Sequence, residues 1–380
     1  MSASVETAWS QCLRIIAKET GFSIDDIDDE DEFTTDLGVN PIVARSIIRS
    51  FESVLKRDIP STVFTQCPTI KEFRGGYFQS CIDSITEPKD DLAVKKAATA
   101  HGGNKKSTTN TTRTRARVPI SIVLQGKPTM DCAEKTNIFL LPDGSGSGMA
   151  YVEMPLIDPS TVCLVALNSP YLNRASEYCC SIEEIAREYV QEIRKRQPHG
   201  PYVLGGWSAG GYYSYEVACE LIRQGERVKK LILLDSPCRP DFEELPMEVV
   251  QYLSKKNLMG NWDRSARHTS VPSWVIEHFR STLRAVREYV PVPMDAADAP
   301  DEVCIIWSRE GVMPANQLRR TGLDLRVRVA RFLLEGKPDL TSAYGWDRLF
   351  PGAHISISSI SGNHFTLINK PNVSVCSFPE

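Results

Sequence analysis

The chain has no run of 18 apolar residues, no C-x-x-C pair and no excess of basic charge. The first absence excludes a membrane-spanning helix. The second argues against a zinc site, and eleven cysteines spread over 380 residues are too dilute for a disulfide scaffold. A formal net charge of -4 leaves no basic face for nucleic acid. The N-terminus, Met1-Ser2-Ala3-Ser4-Val5-Glu6, is polar and acidic, unlike a signal or transit peptide. With 42% hydrophobic and 24% charged residues, the composition is that of a soluble protein. The expectation is a cytoplasmic chain with no metal, no membrane partner and no nucleic-acid partner.

What is there divides into three parts. Residues 1–83 read as a small all-α bundle. Ala8, Cys12, Leu13, Ile15 and Ile16 form a helical stripe, and an acidic run covers Asp25 to Glu32. A second helix opens near Pro41, a residue suited to a first helical turn, and carries Ile42, Val43, Ile47, Ile48 and Phe51. A third is expected over Thr69 to Gln79. Residues 84–117 lose apolar periodicity; His101 to Thr112 reads as a flexible linker. Residues 118–380 then alternate apolar strands with helices. Strands are expected at Ile120–Leu124, Asn137–Leu141, Thr161–Leu167, Pro201–Leu204, Arg227–Leu234, Val303–Trp307 and into His354–Ile360. Ser181 to Lys195 reads as a helix with a serine cap and acidic first turn. This rhythm predicts a mainly parallel sheet covered on both faces. It breaks between residue 241 and about 297, where two helices, Leu245–Leu258 and Val275–Val290, would form a lid over the strand ends.

The chemistry centres on Gly206-Trp207-Ser208-Ala209-Gly210. A short β-prone run precedes it and an apolar helical pattern, Tyr212 to Ile222, follows. Strand, tight turn and helix give a G-x-S-x-G sequence the context of a nucleophile elbow. The fold class is therefore α/β, an α/β-hydrolase with a helical lid, preceded by the small all-α bundle. A serine hydroxyl needs a base, and the base needs an orienting carboxylate; this fold supplies them in the order serine, acid, histidine. Among six histidines, His101 lies in the linker, His199 precedes the elbow, His268 and His278 fall in the lid, and His354 enters a late strand. His364 follows a β-prone run, where the base belongs. For the acid, Asp235 ends the strand after the elbow helix; Glu310, after Val303–Trp307, is the rival and Asp347 a distant third. The oxyanion needs backbone donors. Ala209 offers one, and the loop after Leu141 offers another, assigned to Asp143 with Gly144 and Ser145 as neighbours. Gly144-Ser145-Gly146-Ser147-Gly148 has no lysine and lacks P-loop spacing. Met247, Val250, Leu253, Leu258, Met259, Trp262, Trp274, Phe279 and Leu283 make the lid apolar, which suits a bulky acyl chain as well as ordinary packing.

Five stretches carry a resemblance: Leu141-Pro142-Asp143-Gly144-Ser145-Gly146-Ser147, Gln197 to Tyr202, Gly205 to Gly211, Leu234-Asp235-Ser236-Pro237 and Gly362-Asn363-His364-Phe365. In them the chain resembles the carrier-protein and thioesterase didomain that ends fungal non-reducing polyketide synthases. The resemblance places the family's nucleophile on Ser208, its acid on Asp235 and its base on His364, and so favours Asp235 over Glu310. It implies a serine that receives an aromatic polyketide from the phosphopantetheine arm of a polyketide synthase acyl carrier domain. Release follows by water, by Claisen attack of a substrate carbon, or by an alcohol; hydrolysis is the first expectation. Residues 1–83 resemble the carrier domain, with one departure. Where the family carries its arm on a serine, the chain reads Gly38-Val39-Asn40-Pro41-Ile42. Pro41 has no hydroxyl, and Ser46 lies inside the helix. The expectation is a carrier-like module that holds no phosphopantetheine, in an enzyme that acts in trans on another synthase's carrier and binds no cofactor of its own. A docking module that only binds a synthase is the non-enzymatic alternative.

Overall fold

The N-terminal helices form because their apolar residues recur on one face. α1 (Ala3–Thr20) and α2 (Pro41–Leu55) pack together, followed by α3 (Val63–Gln66), α4 (Ile70–Glu72), a π-helical turn at Phe73–Phe78 and α5 (Gln79–Thr86). The computed structural model describes residues 3–20, 24, 27–33, 37, 39, 41–86, 120–129, 135–172, 174–259, 271, 273–369 and 372. Trp9, Cys12, Ile16, Ile47, Phe51, Phe64 and Phe73 fill the core of this unit. Phe51 and Phe73 stack with ring centroids 5.2 Å apart. The expected third helix is split: Thr69 caps α4 by a capping box, and the turn containing Gly75 and Gly76 widens to π geometry before α5. Glycine at two successive positions weakens the ordinary α-helical pattern there. α5 continues to Thr86, past residue 83; the rest of the expected linker, 87–117, lies outside the described residues.

The chain divides into two compact units, Met1–Pro119 and Ile120–Glu380. In the second, seven strands make one sheet: β1 (Ser121–Gln125), β2 (Thr136–Leu141), β3 (Val162–Leu167), β4 (Tyr202–Trp207), β5 (Val228–Leu234), β6 (Glu302–Ser308) and β7 (His354–Ile360). Their order is β1-β3-β2-β4-β5-β6-β7. β1 is antiparallel to β3, and every other neighbouring pair is parallel. Alternate residues serve opposite faces. Phe139 and Leu141 pack with α6 (Ile182–Arg196) and α7 (Gly210–Arg223), whereas Leu140 and Leu164 pack with α8 (Met247–Lys255), α9 (Ser273–Glu288) and α11 (Arg328–Leu334). A short α10 (Ala315–Leu318) precedes α11. Near-continuous Val, Ile and Leu in the central strands is the consequence of burial on both faces.

Two details position the site. Ser181 caps α6 reciprocally with Glu184, at 3.2 and 2.8 Å, which fixes the helix before the elbow strand. The segment between β5 and β6 contributes α8 and α9 rather than a single crossover helix. The expected helices at Leu245–Leu258 and Val275–Val290 are seen as Met247–Lys255 and Ser273–Glu288; Trp262 and His268 lie outside the described residues.

Candidate active site

β4 ends at Trp207 and α7 begins at Gly210, so the chain reverses within Ser208 and Ala209. Ser208 takes φ 57°, a left-handed conformation that costs a residue with a Cβ on the order of 1 kcal/mol or more. The turn closes only because its flanks are glycine. A Cβ on Gly206 would clash with the backbone of Gly210, and one on Gly210 would meet the Leu141 carbonyl at 2.6 Å. The Ser208 N–H donates to the Leu234 carbonyl at 3.0 Å. Tyr151, which the sequence did not single out, clamps the elbow: its hydroxyl donates to the Leu141 carbonyl at 2.5 Å and accepts the Trp207 N–H at 2.8 Å.

Asp235 follows β5 with φ 48°, and its N–H donates to the Ile306 carbonyl at 2.8 Å. Its side chain is fully buried. His364 lies after β7 in a turn held by Asn363, whose side-chain oxygen accepts the Phe365 N–H at 3.0 Å. His364 Nδ1 donates to Asp235 Oδ2 at 2.8 Å, with the Trp207 ring 5.3 Å from the imidazole. Asp235 also accepts the Ser308 N–H at 2.7 Å and the Ser308 hydroxyl at 3.0 Å. Lys337, unforeseen in the sequence, places its ammonium 2.6 Å from Asp235 Oδ1. Burial pushes the Asp235 carboxyl up, but Lys337 and His364 outweigh it and hold the group at about 2. It is a carboxylate throughout the neutral range. Burial lowers His364 below its usual value, against the pull of Asp235, so its free-base form persists into mildly acidic solution.

Ser208, Asp235 and His364 line one cavity, with Ala209 and Gly144. Its other walls are mostly apolar: Phe279, Leu283 and Val286 from α9, and Val329, Phe332 and Leu333 from α11. Of the loop after β2, Gly144 lies on the cavity wall; Asp143 is buried and is not among the lining residues. The Asp143 side chain instead accepts the Ser145 N–H at 3.2 Å, and burial pushes its carboxyl up to about 7. α9 holds this loop from above. His278 Nδ1 and Thr282 Oγ1 both donate to the Gly144 carbonyl, at 3.0 and 3.2 Å. Burial lowers His278 to about 4, so it serves the loop as a neutral donor. A Cβ on Gly146, where φ is 77°, would clash with the His278 ring.

The rival residues lie elsewhere. Glu310 and Asp347 are exposed, His354 is exposed on β7, and His199 pairs with Glu226 at 3.1 Å with most of its side chain in solvent. His101 lies outside the described residues. In the N-terminal unit Pro41 opens α2, and the Ser46 hydroxyl donates to Glu19 Oε2 at 2.6 Å.

Two family models match the chain. The thioesterase domain model matches residues 136–380, and the phosphopantetheine attachment site model matches residues 11–74. The chain is 35% identical to non-reducing polyketide synthase terA of Aspergillus terreus, over 98% of this chain and 18% of that protein. It is 33% identical to bikaverin polyketide synthase bik1 of Gibberella fujikuroi, over 96% of this chain and 18% of that one. The chain thus spans about a fifth of the length of these relatives. Among solved structures, a four-domain nonribosomal peptide synthetase aligns over 95% of this chain and 25% of its own, with TM-score 0.50 and 15% identity, a likeness of fold alone.

Proposed function

The chain belongs to the thioesterase domain family, preceded by a module of the phosphopantetheine attachment family, as in the carrier–thioesterase region of fungal non-reducing polyketide synthases; from that membership we propose that it releases an aromatic polyketide from a carrier-bound thioester through an acyl-serine. The observation that carries the reading is the Asp235–His364 bond of 2.8 Å in the cavity that Ser208 also lines. Asp235 fixes the proton on His364 Nδ1, which leaves Nε2 as the free base. Ser208 Oγ attacks the thioester carbonyl as His364 takes its proton. The oxyanion is met by the Ala209 N–H and by the loop at Asp143 and Gly144. Collapse breaks the C–S bond, and the departing thiolate takes the proton from His364. Water, deprotonated by His364, then attacks the ester carbonyl and frees the acid, and Ser208 recovers its proton. The cavity encloses about 60 Å³, far below the roughly 300–1,000 Å³ of sites that hold sizeable ligands. A bulky acyl chain therefore requires the cavity to widen from this form.

Residues 11–74 do not fit the prosthetic arm. The attachment chemistry needs a hydroxyl at the start of α2, where Pro41 stands, and Ser46 is engaged by Glu19. The acyl group is therefore delivered by a carrier domain other than this module. Incubation with coenzyme A and a broad-range phosphopantetheinyl transferase should leave the intact mass unchanged. An added arm on residues 1–83 would contradict this.

A second groove shares Glu244, Leu245 and Leu283 with the Ser208 cavity. α9 sets Arg280, Arg284 and Arg287 along it, at i, i+4 and i+7. Arg287 pairs with Glu244 at 2.8 Å; Arg280 and Arg284 are exposed, with no ion pair among the described residues. Guanidinium groups suit a phosphate diester, which supports a phosphopantetheine thioester over a simple ester as substrate. Arg280→Glu with Arg284→Glu should raise KM for a coenzyme A thioester about tenfold. KM for the phosphate-free N-acetylcysteamine thioester should stay within about twofold. Equal effects on both substrates would remove this support.

The apolar walls favour one second reading. A dry cavity spares the acyl-serine from water and lets a substrate carbon attack it, a Claisen-type closure. Product mass separates the two: hydrolysis gives a free acid, and cyclisation gives a product lighter by one water.

A further inference from the structure

Behind the cavity wall a lysine is packed against the carboxylate of the site. Gly336, with φ 96°, turns the chain after α11, and Lys337 then enters the interior. Its side chain is fully excluded from solvent. The ammonium lies 2.6 Å from Asp235 Oδ1, 2.7 Å from Asp235 Oδ2 and 2.6 Å from Ser308 Oγ. The Phe332 ring, which lines the cavity, covers it at 4.6 Å. Burying an ammonium costs more than burying an alkyl chain of equal length, so packing alone does not account for a lysine here. Its neighbours show what it can do. Asp235 receives hydrogen bonds from Lys337, Ser308 and His364 at once, so its plane is fixed from three sides.

The charge matters as much as the orientation. A bare carboxylate beside an imidazole favours the imidazolium, and an imidazolium cannot take a proton from Ser208. The charged or titratable groups acting on His364 are Asp235 and Lys337; the Trp207 and Phe365 rings, at 5.3 and 5.0 Å, are neutral. We propose that Lys337 is a positioning residue of the Ser208 site, one that neutralises Asp235 and fixes its plane so that His364 is oriented by a carboxylate without being held protonated by it. The proposal rests on the reading of Ser208, His364 and Asp235 as the catalytic set. Burial is the larger cause that lowers His364, and Lys337 acts in the same direction.

The sign of the effect is definite. The acid limb of kcat/KM follows protonation of His364: activity is lost as pH falls through its folded-state value. Removing the cation makes His364 more basic and moves the limb upward. The test is the pH profile of kcat/KM for an N-acetylcysteamine thioester with wild type, Lys337→Gln, Lys337→Met and Lys337→Arg. Both neutral variants should move the acid limb up by about one pH unit, with KM within about twofold. Lys337→Arg should leave the limb near the wild-type position. A limb unmoved in a folded neutral variant would overturn the proposal. So would a wild-type midpoint at or above about 7, a reading that needs no variant to fold. Ser208→Ala, measured alongside, distinguishes this failure from that of the catalytic reading: if it turns over like wild type, the catalytic set itself is misassigned.

Discussion

Ser208→Ala lowers kcat/KM for an acyl thioester by at least about a thousandfold and leaves the fold in place. The expectation of a large loss comes from the hydroxyl's position. Ser208 alone among the cavity's hydroxyls sits on the left-handed turn between β4 and α7, and it lines the same cavity as His364 and Gly144. Thr282, another hydroxyl-bearing residue of the cavity, is committed to the Gly144 carbonyl at 3.2 Å. The expectation of an intact fold comes from packing. Alanine keeps the Cβ and the backbone geometry, and the Ser208 N–H still donates to Leu234. Thiol release followed by absorbance, together with thermal unfolding, checks both halves. Equal turnover in both would show that the catalytic set is misassigned, and no turnover above the uncatalysed rate in either would support a module that only binds a synthase.

Asp235→Asn should cost both activity and stability, for separable reasons. The amide can present its N–H₂ to His364 Nδ1 and select the wrong tautomer, which lowers kcat by about a thousand- to ten-thousandfold. It also strands Lys337, whose side chain is fully buried. Breaking a buried pair from one side costs about 3–5 kcal/mol, or a melting temperature lower by about 10 °C for a unit of this size. Lys337→Met in the same chain removes the stranded charge. The double variant should regain most of the lost stability and none of the activity, because the carboxylate that orients His364 is still missing. Calorimetry of the two single variants and the double variant at neutral pH measures the coupling. Additive losses in the double variant would show that Asp235 and Lys337 do not act as a pair.

Much of this site was legible because its parts follow local rules. The elbow announces itself where an apolar strand meets Gly206 and Gly210, and the backbone contacts of those two glycines give the reason. His364 was reached by chain order and by its place after β7, and the contact with Asp235 spans 129 residues. Residue reasoning alone left Glu310 open beside Asp235; the sheet order resolves their positions, since β5 and β6 are neighbours and only Asp235 turns inward. Lys337 was not legible. It lies 102 residues from Asp235, in a stretch, Glu335-Gly336-Lys337-Pro338-Asp339, that reads as a polar turn. Tyr151 was hidden likewise, because its two partners belong to β2 and β4. In the loop after β2, sequence reasoning singles out Asp143, whereas the residue on the cavity wall is Gly144, which packs against Phe279 of α9.

The most direct measurement is the site of covalent acylation. Wild type should be mixed with a thioester whose acyl-enzyme hydrolyses slowly, quenched in acid, digested and mapped by mass spectrometry. The acyl mass is expected on the peptide that contains Ser208 and on no other, and it should be absent from Ser208→Ala. An acyl group mapped to a different residue, or undiminished labelling of Ser208→Ala, would contradict the account.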